Sequence, residues 1–133
     1  MFRFVAIALF SLMFLVQAGD AYGHFLTLAD PAPEAARFGI TVGAEVFRTA
    51  ILLILALSVA LGALLAVVGL RAGRASLFHH GALACSLGYM VYGLYQVADG
   101  ALQLGSAVVV VAGLIYVVLG GLAYAMHRTV LEI

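Results

Sequence analysis

The chain has 133 residues, 66% of them hydrophobic and 9% charged, with a mean hydropathy of +1.22. A water-soluble domain usually carries about 25% charged residues, so this chain cannot cover itself with a wettable surface, and lipid must solvate most of it. Six arginines against six acids leave no net charge, which excludes the basic field that holds nucleic acid.

The first apolar run, residues 4–18, reaches roughly 22 Å at 1.5 Å per helical residue, short for a bilayer span. Arg3 before it and "VQA" (16–18) after it suit a cleavable signal peptide. Apolar residues resume at Tyr22, Phe25, Leu26 and Leu28, and the reading adopted is a retained first helix over 3–28; cleavage would leave three spans. The loop "ADPAPEAARFG" then suggests a short interfacial helix over 31–38. Asp30 would cap it, Pro31 or Pro33 would open it, Glu34 would sit at its positive end and Gly39 would stop it. Phe38 should dip toward the apolar phase.

Three later segments, 46–70, 77–98 and 104–126, are each long enough for the ~20 residues that a membrane helix needs. Backbone groups cannot be left open in lipid, so all three should be helical. The expected fold is therefore an all-α, polytopic four-helix membrane bundle forming a single domain. Arg3, Arg71, Arg74 and Arg128 fall on one side of it, and the positive-inside rule makes that side, with both termini, cytoplasmic. Arginine without any lysine fits a GC-rich bacterial genome, hence a bacterial inner membrane.

Small residues mark where membrane helices touch. Ser58, Gly62 and Ala66 form such a face on the second helix. Gly113, Tyr116, Gly120 and Tyr124 form one on the fourth, with His127 continuing it, and glycines seven apart (Gly62 and Gly69, Gly113 and Gly120) share that packing rhythm. On the third helix, in "SLGYMVYGLYQVADG", Cys85, Tyr89, Tyr92, Gln96 and Asp99 recur every three or four residues. The stripe has two readings. One is a polar interface between helices, with tyrosine hydroxyls crossing to neighbours; the other is an outward-opening pocket of Tyr89, Tyr92, Tyr95, Gln96 and Tyr116, with Asp99 at its mouth, shaped for a quinone head group or similar lipophile. An acid at a helix C-terminus needs a partner, and Arg48 is the expected one, with Glu45 one turn away as its competitor.

Histidines offer the remaining chemistry. His79 and His80 begin the third helix behind Ser76, a candidate N-cap, and His127 lies at a similar depth on the fourth; one histidine from each helix could hold haem b or share a metal. His24 would become the third residue of a copper-binding terminus if processing cut after Ala21. Cys85 sits alone in an apolar run and reads as a small packing residue. Catalytic motifs are missing: no HExxH, no CxxC and no phosphate-cradling loop. No acid lies mid-membrane in the three later spans, which weighs against a proton-coupled transporter.

With "GHFLTLADPAPEAARFGI", then Arg48, then "YGLYQVADG", the chain resembles the small four-helix DoxX-like bacterial membrane proteins and the uncharacterised groups near them. The shared features are a proline-containing loop (Pro31 or Pro33) closing on Phe38-Gly39, an arginine (Arg48) opening the second helix, and Asp99-Gly100 after the third. An arginine expected inside the third helix is absent, with Tyr92 or Tyr95 nearby instead. The resemblance implies a four-helix bundle, and its founder group includes a quinone-linked sulfur-oxidation subunit. The leading expectation is a non-enzymatic accessory protein of the lipid bilayer, interacting with other membrane proteins or with copies of itself; the alternative is a quinone- or small-lipophile-binding protein in a redox system.

Overall fold

A computed structural model describes residues 2–130, and everything in it is helix or short connection. In chain order these are α1 (Phe2–Ala29), α2 (Ala32–Phe38), α3 (Val42–Ala72), α4 (Ala75–Ala98), a π-helical segment (Asp99–Leu104) and α5 (Ala107–Thr129). The four-helix bundle expected from hydropathy is thus present, with α2 as the short connecting helix.

The helices that satisfy length and apolarity for crossing a membrane are α1, α3 and α5. The retained first helix is present, and one later segment is less apolar than expected. The first segment runs unbroken through "GDAYGHFLTL", whereas α4, expected as a clear span, is the less apolar one because it carries two histidines, three tyrosines and a glutamine. At 24 residues α4 still extends about 36 Å. It lies between α3 and α5, which shelter its polar face.

Neighbours follow in the order α1, α3, α4, α5, and the ring barely closes, since α1 and α5 scarcely touch. Glycine sets the close contacts. A Cβ added at Gly62 of α3 would lie 2.6 Å from the Cys85 backbone nitrogen, and one at Gly81 would lie 2.5 Å from that of Ala66. On the other flank of α4, Gly93 and Gly113 face each other, and a Cβ on either would come within 2.6 Å of the other's carbonyl oxygen. Ser86 adds a hydrogen bond to the Gly120 carbonyl at 2.8 Å. The glycine rhythm expected from sequence is where the backbones meet. Ser58 is not part of it: it is exposed and bonds back to the Ile54 carbonyl, while α3 presents Leu52, Ala56, Val59, Ala63, Ala66 and Leu70 inward.

Helix ends depart from expectation at three places. Pro31, not Asp30, occupies the cap position of α2 and gives no side-chain bond. Arg74, not Ser76, stands before α4, and the Ser76 hydroxyl turns to His80. The last helix begins at Ala107 behind Ser106, whose hydroxyl accepts from the Val109 amide; residues 99–104, expected partly as loop and partly as helix, wind as a π-helix ending at left-handed Gly105. Gly39 does end α2 in the left-handed conformation.

The two ends of the bundle differ in charge. Arg3 donates to the Leu70 carbonyl, and Phe10 packs edge-on to Phe78 at 6.0 Å, so the start of α1, the α3–α4 turn and the end of α5 share one end. That end carries Arg3, Arg71, Arg74 and Arg128. Asp30, Glu34, Glu45 and Asp99 lie at the other, with Arg37 and Arg48.

Candidate functional site: a cleft between α1 and α5

Gln17, Asp20 and His24 recur at intervals of three and four on α1, so all three project from one face of the helix. That face looks across the loose α1–α5 side of the bundle toward the polar stripe of α4. The Tyr116 hydroxyl donates to Asp20 Oδ2 in a short hydrogen bond, the Tyr92 hydroxyl donates to the same oxygen at 3.4 Å, and His24 Nε2 lies 2.8 Å from the Tyr92 oxygen. Three helices therefore converge on one carboxylate. Around it opens a cleft of about 350 Å³, walled by Gly19, Asp20, Gly23, His24, Tyr92, Gln96, Ala112 and Tyr116, with Thr27 and Glu34 at the acidic end. The two α1 glycines have nothing within 4 Å of an added Cβ, so their missing side chains keep the space open. A larger hollow, about 550 Å³ at the α3–α4 turn, is lined by Arg74, Ala75, Ser76, Leu77 and His80 alone. No other helix contributes to it.

One turn below the cleft floor, polar groups continue without partners. Gln17 is fully buried and neither atom of its amide is hydrogen-bonded, although the Tyr89 and Tyr116 hydroxyls are neighbours; the Tyr89 hydroxyl is likewise buried and unbonded. Tyr89 stacks on Tyr116 with centroids 5.8 Å apart, and Tyr116 meets Tyr92 at 4.8 Å.

Beside the cleft at the acidic end lies a buried ion network. Arg48 Nε donates to Asp99 Oδ2 at 2.8 Å, and its Nη1 reaches both oxygens of Glu45 at 3.0 Å; Thr49 donates to Glu45 at 2.9 Å. The Phe38 ring caps the guanidinium at 5.1 Å. Both expected partners of Arg48 are thus engaged at once. The pairs Asp99–Arg48 and Glu45–Arg48 stood as competitors in sequence because a chain read in one dimension cannot show that a single guanidinium faces two acids.

The structure sorts the sequence candidates. Tyr89, Tyr92 and Tyr116 form one cluster; Gln96 lines the cleft, and Tyr95 is half-buried beside the apolar group around Tyr92. Tyr124 stands apart, 46% exposed and in contact with the His127 ring. Its neighbours in the expected face, Gly113 and Gly120, turn toward α4 while the tyrosine points outward. His79 and His127 do meet across α4 and α5, with Nδ1 atoms 3.3 Å apart. His80 bonds its own helix at the Ser76 carbonyl. His24 lies within α1 with its Nε2 on the Tyr92 hydroxyl. Among the described residues no three histidines, cysteines or acids are grouped to hold a metal.

Three residues of the site were not singled out from the sequence: Gln17, Asp20 and Glu45 in its buried role. The signal for the first two was present as a 3–4 spacing with His24. It crossed the point where a signal peptide would end, and the segment was not read as one helical face. Including α1 among the spans also places an acid, Asp20, within a membrane-crossing helix, a position outside the three later segments considered above. No known protein family, curated protein or solved structure matches the chain.

Proposed function

We propose that this membrane protein binds a small lipophile through the α1–α5 cleft, as a non-enzymatic accessory of a bacterial inner membrane with the arginine-bearing end inside. The observation that carries this reading is the cleft itself: an opening between two lipid-facing helices, with a carboxylate, a histidine, a glutamine and two tyrosines gathered at its floor. Ligand sites combine apolar walls with a few convergent polar groups, and a gap between membrane helices lets a molecule dissolved in the bilayer enter sideways. Kinship with the DoxX-like proteins, and a quinone or quinol among the lipophiles that the cleft admits, are proposed on the same footing. The two redox forms differ in what they offer: an oxidised quinone presents acceptors, which would compete for the tyrosine hydroxyls, whereas a quinol presents donors to Asp20.

Filling the cleft tests this reading. Gly23→Leu has free space around its new side chain and should leave the unfolding temperature in detergent within a degree or two of the parent. In the parent, decylubiquinol at saturation should raise that temperature by several degrees, since a ligand present at about 100 times its Kd adds ~2.7 kcal/mol. Gly23→Leu should abolish the rise. An equal rise in both proteins defeats the cleft as the binding place.

A further inference from the structure

The polar groups of the cleft and its border are weighted toward acceptors and negative charge. Gln96, on the cleft wall, has a buried Oε1 with no partner, and Asp99, three residues further on, has a buried Oδ1 with none. A buried acceptor left unpaired is destabilising, and a donor brought to it removes that cost. The charges show the same imbalance. Asp20 is in no ion pair among the described residues, its partners being two tyrosine hydroxyls, and Glu45 and Asp99 share the single cation Arg48 beside it. Glu34 at the rim is matched by Arg37 at 3.3 Å. Surrounded by lipid, such an excess is poorly screened. Finally, the Tyr92 and Tyr116 hydroxyls both point at Asp20 Oδ2, so the carboxylate is held by neutral donors alone.

We infer that the molecule taken up by the cleft is a lipophilic amine in its protonated form. Its ammonium sits against Asp20 and Gln96 Oε1 beside the two tyrosine hydroxyls, and its apolar body lies between α1 and α5 facing the bilayer. This rests on the lateral-cleft reading and names the ligand class for it. Three N–H donors and one positive charge answer the unpartnered acceptor and the uncompensated carboxylate together. A neutral oxidised quinone answers neither.

The test is calorimetric titration of the full chain in phosphatidylcholine nanodiscs with three probes sharing one tail: n-octylamine, 1-octanol and octyltrimethylammonium, each corrected for partition into empty discs. Octylamine should bind saturably and at least tenfold more tightly than octanol, with the trimethyl analogue, which has charge but no N–H, in between. Asp20→Asn should erase the preference of both cations over the alcohol. Gln96→Leu, which removes an unpaired acceptor and leaves the fold intact, should weaken octylamine severalfold and spare the trimethyl analogue. Equal binding of amine and alcohol, or a preference that survives both substitutions, overturns the inference. If the amine fails to bind while decylubiquinol still stabilises the parent and not Gly23→Leu, the amine class is wrong and the cleft stands. If no lipophile binds at all, both fall.

Discussion

The two flanks of the bundle are built on opposite principles. Where α4 meets α3 and α5, glycine faces backbone, and an added methyl would strike a main-chain atom. Where α1 faces α5, the glycines of α1 have open space before them, and the surfaces are joined by side chains, chiefly the hydrogen bond from Tyr116 to Asp20. Membrane helices gain little by hiding apolar surface from lipid, so they hold together by fit and by interhelical hydrogen bonds. The first flank uses fit. The second uses hydrogen bonds and leaves a cleft. Glycine therefore has two meanings in this chain, close contact at Gly62, Gly81, Gly93 and Gly113 and vacancy at Gly19 and Gly23 of α1, and only the neighbouring helix tells them apart.

Substitutions can separate these roles. The largest effect should come from the ion network bordering the cleft: Arg48→Met leaves Glu45 and Asp99 buried without their shared cation, and breaking a buried pair typically costs about 3–5 kcal/mol. Equilibrium unfolding in mixed micelles should show most of the protein's stability lost, and an unfolding curve that overlays the parent would mean that the network is solvated. Next comes the packed flank. Gly93→Val would drive its Cβ against the Gly113 carbonyl, an overpacking that usually costs about 1–3 kcal/mol; by the same assay, Gly23→Leu should cost almost nothing. Equal penalties at the two glycines would dissolve the distinction between the flanks. Smallest, and opposite in sign, is Gln17→Leu. Exchanging an unbonded buried amide for an apolar group of similar size should leave stability unchanged or raise it by up to about 1 kcal/mol. A clear loss of stability would show that the Gln17 amide bonds to Tyr89 or Tyr116 in the bilayer.

Much of this was legible in the chain. Composition alone requires lipid as solvent, and helical length together with the cost of open backbone in a bilayer requires helices. The left-handed stop at Gly39, the contact glycines Gly62, Gly69, Gly113 and Gly120, and the approach of Asp99 to Arg48 all follow from local rules of conformation, packing and charge. These depend on near neighbours or on the shared solvent, and sequence carries both.

What sequence did not decide is which faces look at each other. Gly113, Gly120 and Tyr124 share a helical stripe, yet the glycines lie against α4 and the tyrosine points outward, because the width of a contact depends on the rotation and tilt of the partner helix. Asp20 became the centre of the site only once α1 packed beside α3 and brought its carboxylate to hydroxyls more than seventy residues away. Such pairings are set by the angles at which rigid helices settle against one another. No residue encodes those angles alone, so the tertiary structure had to supply the cleft that the sequence could only outline as a polar stripe.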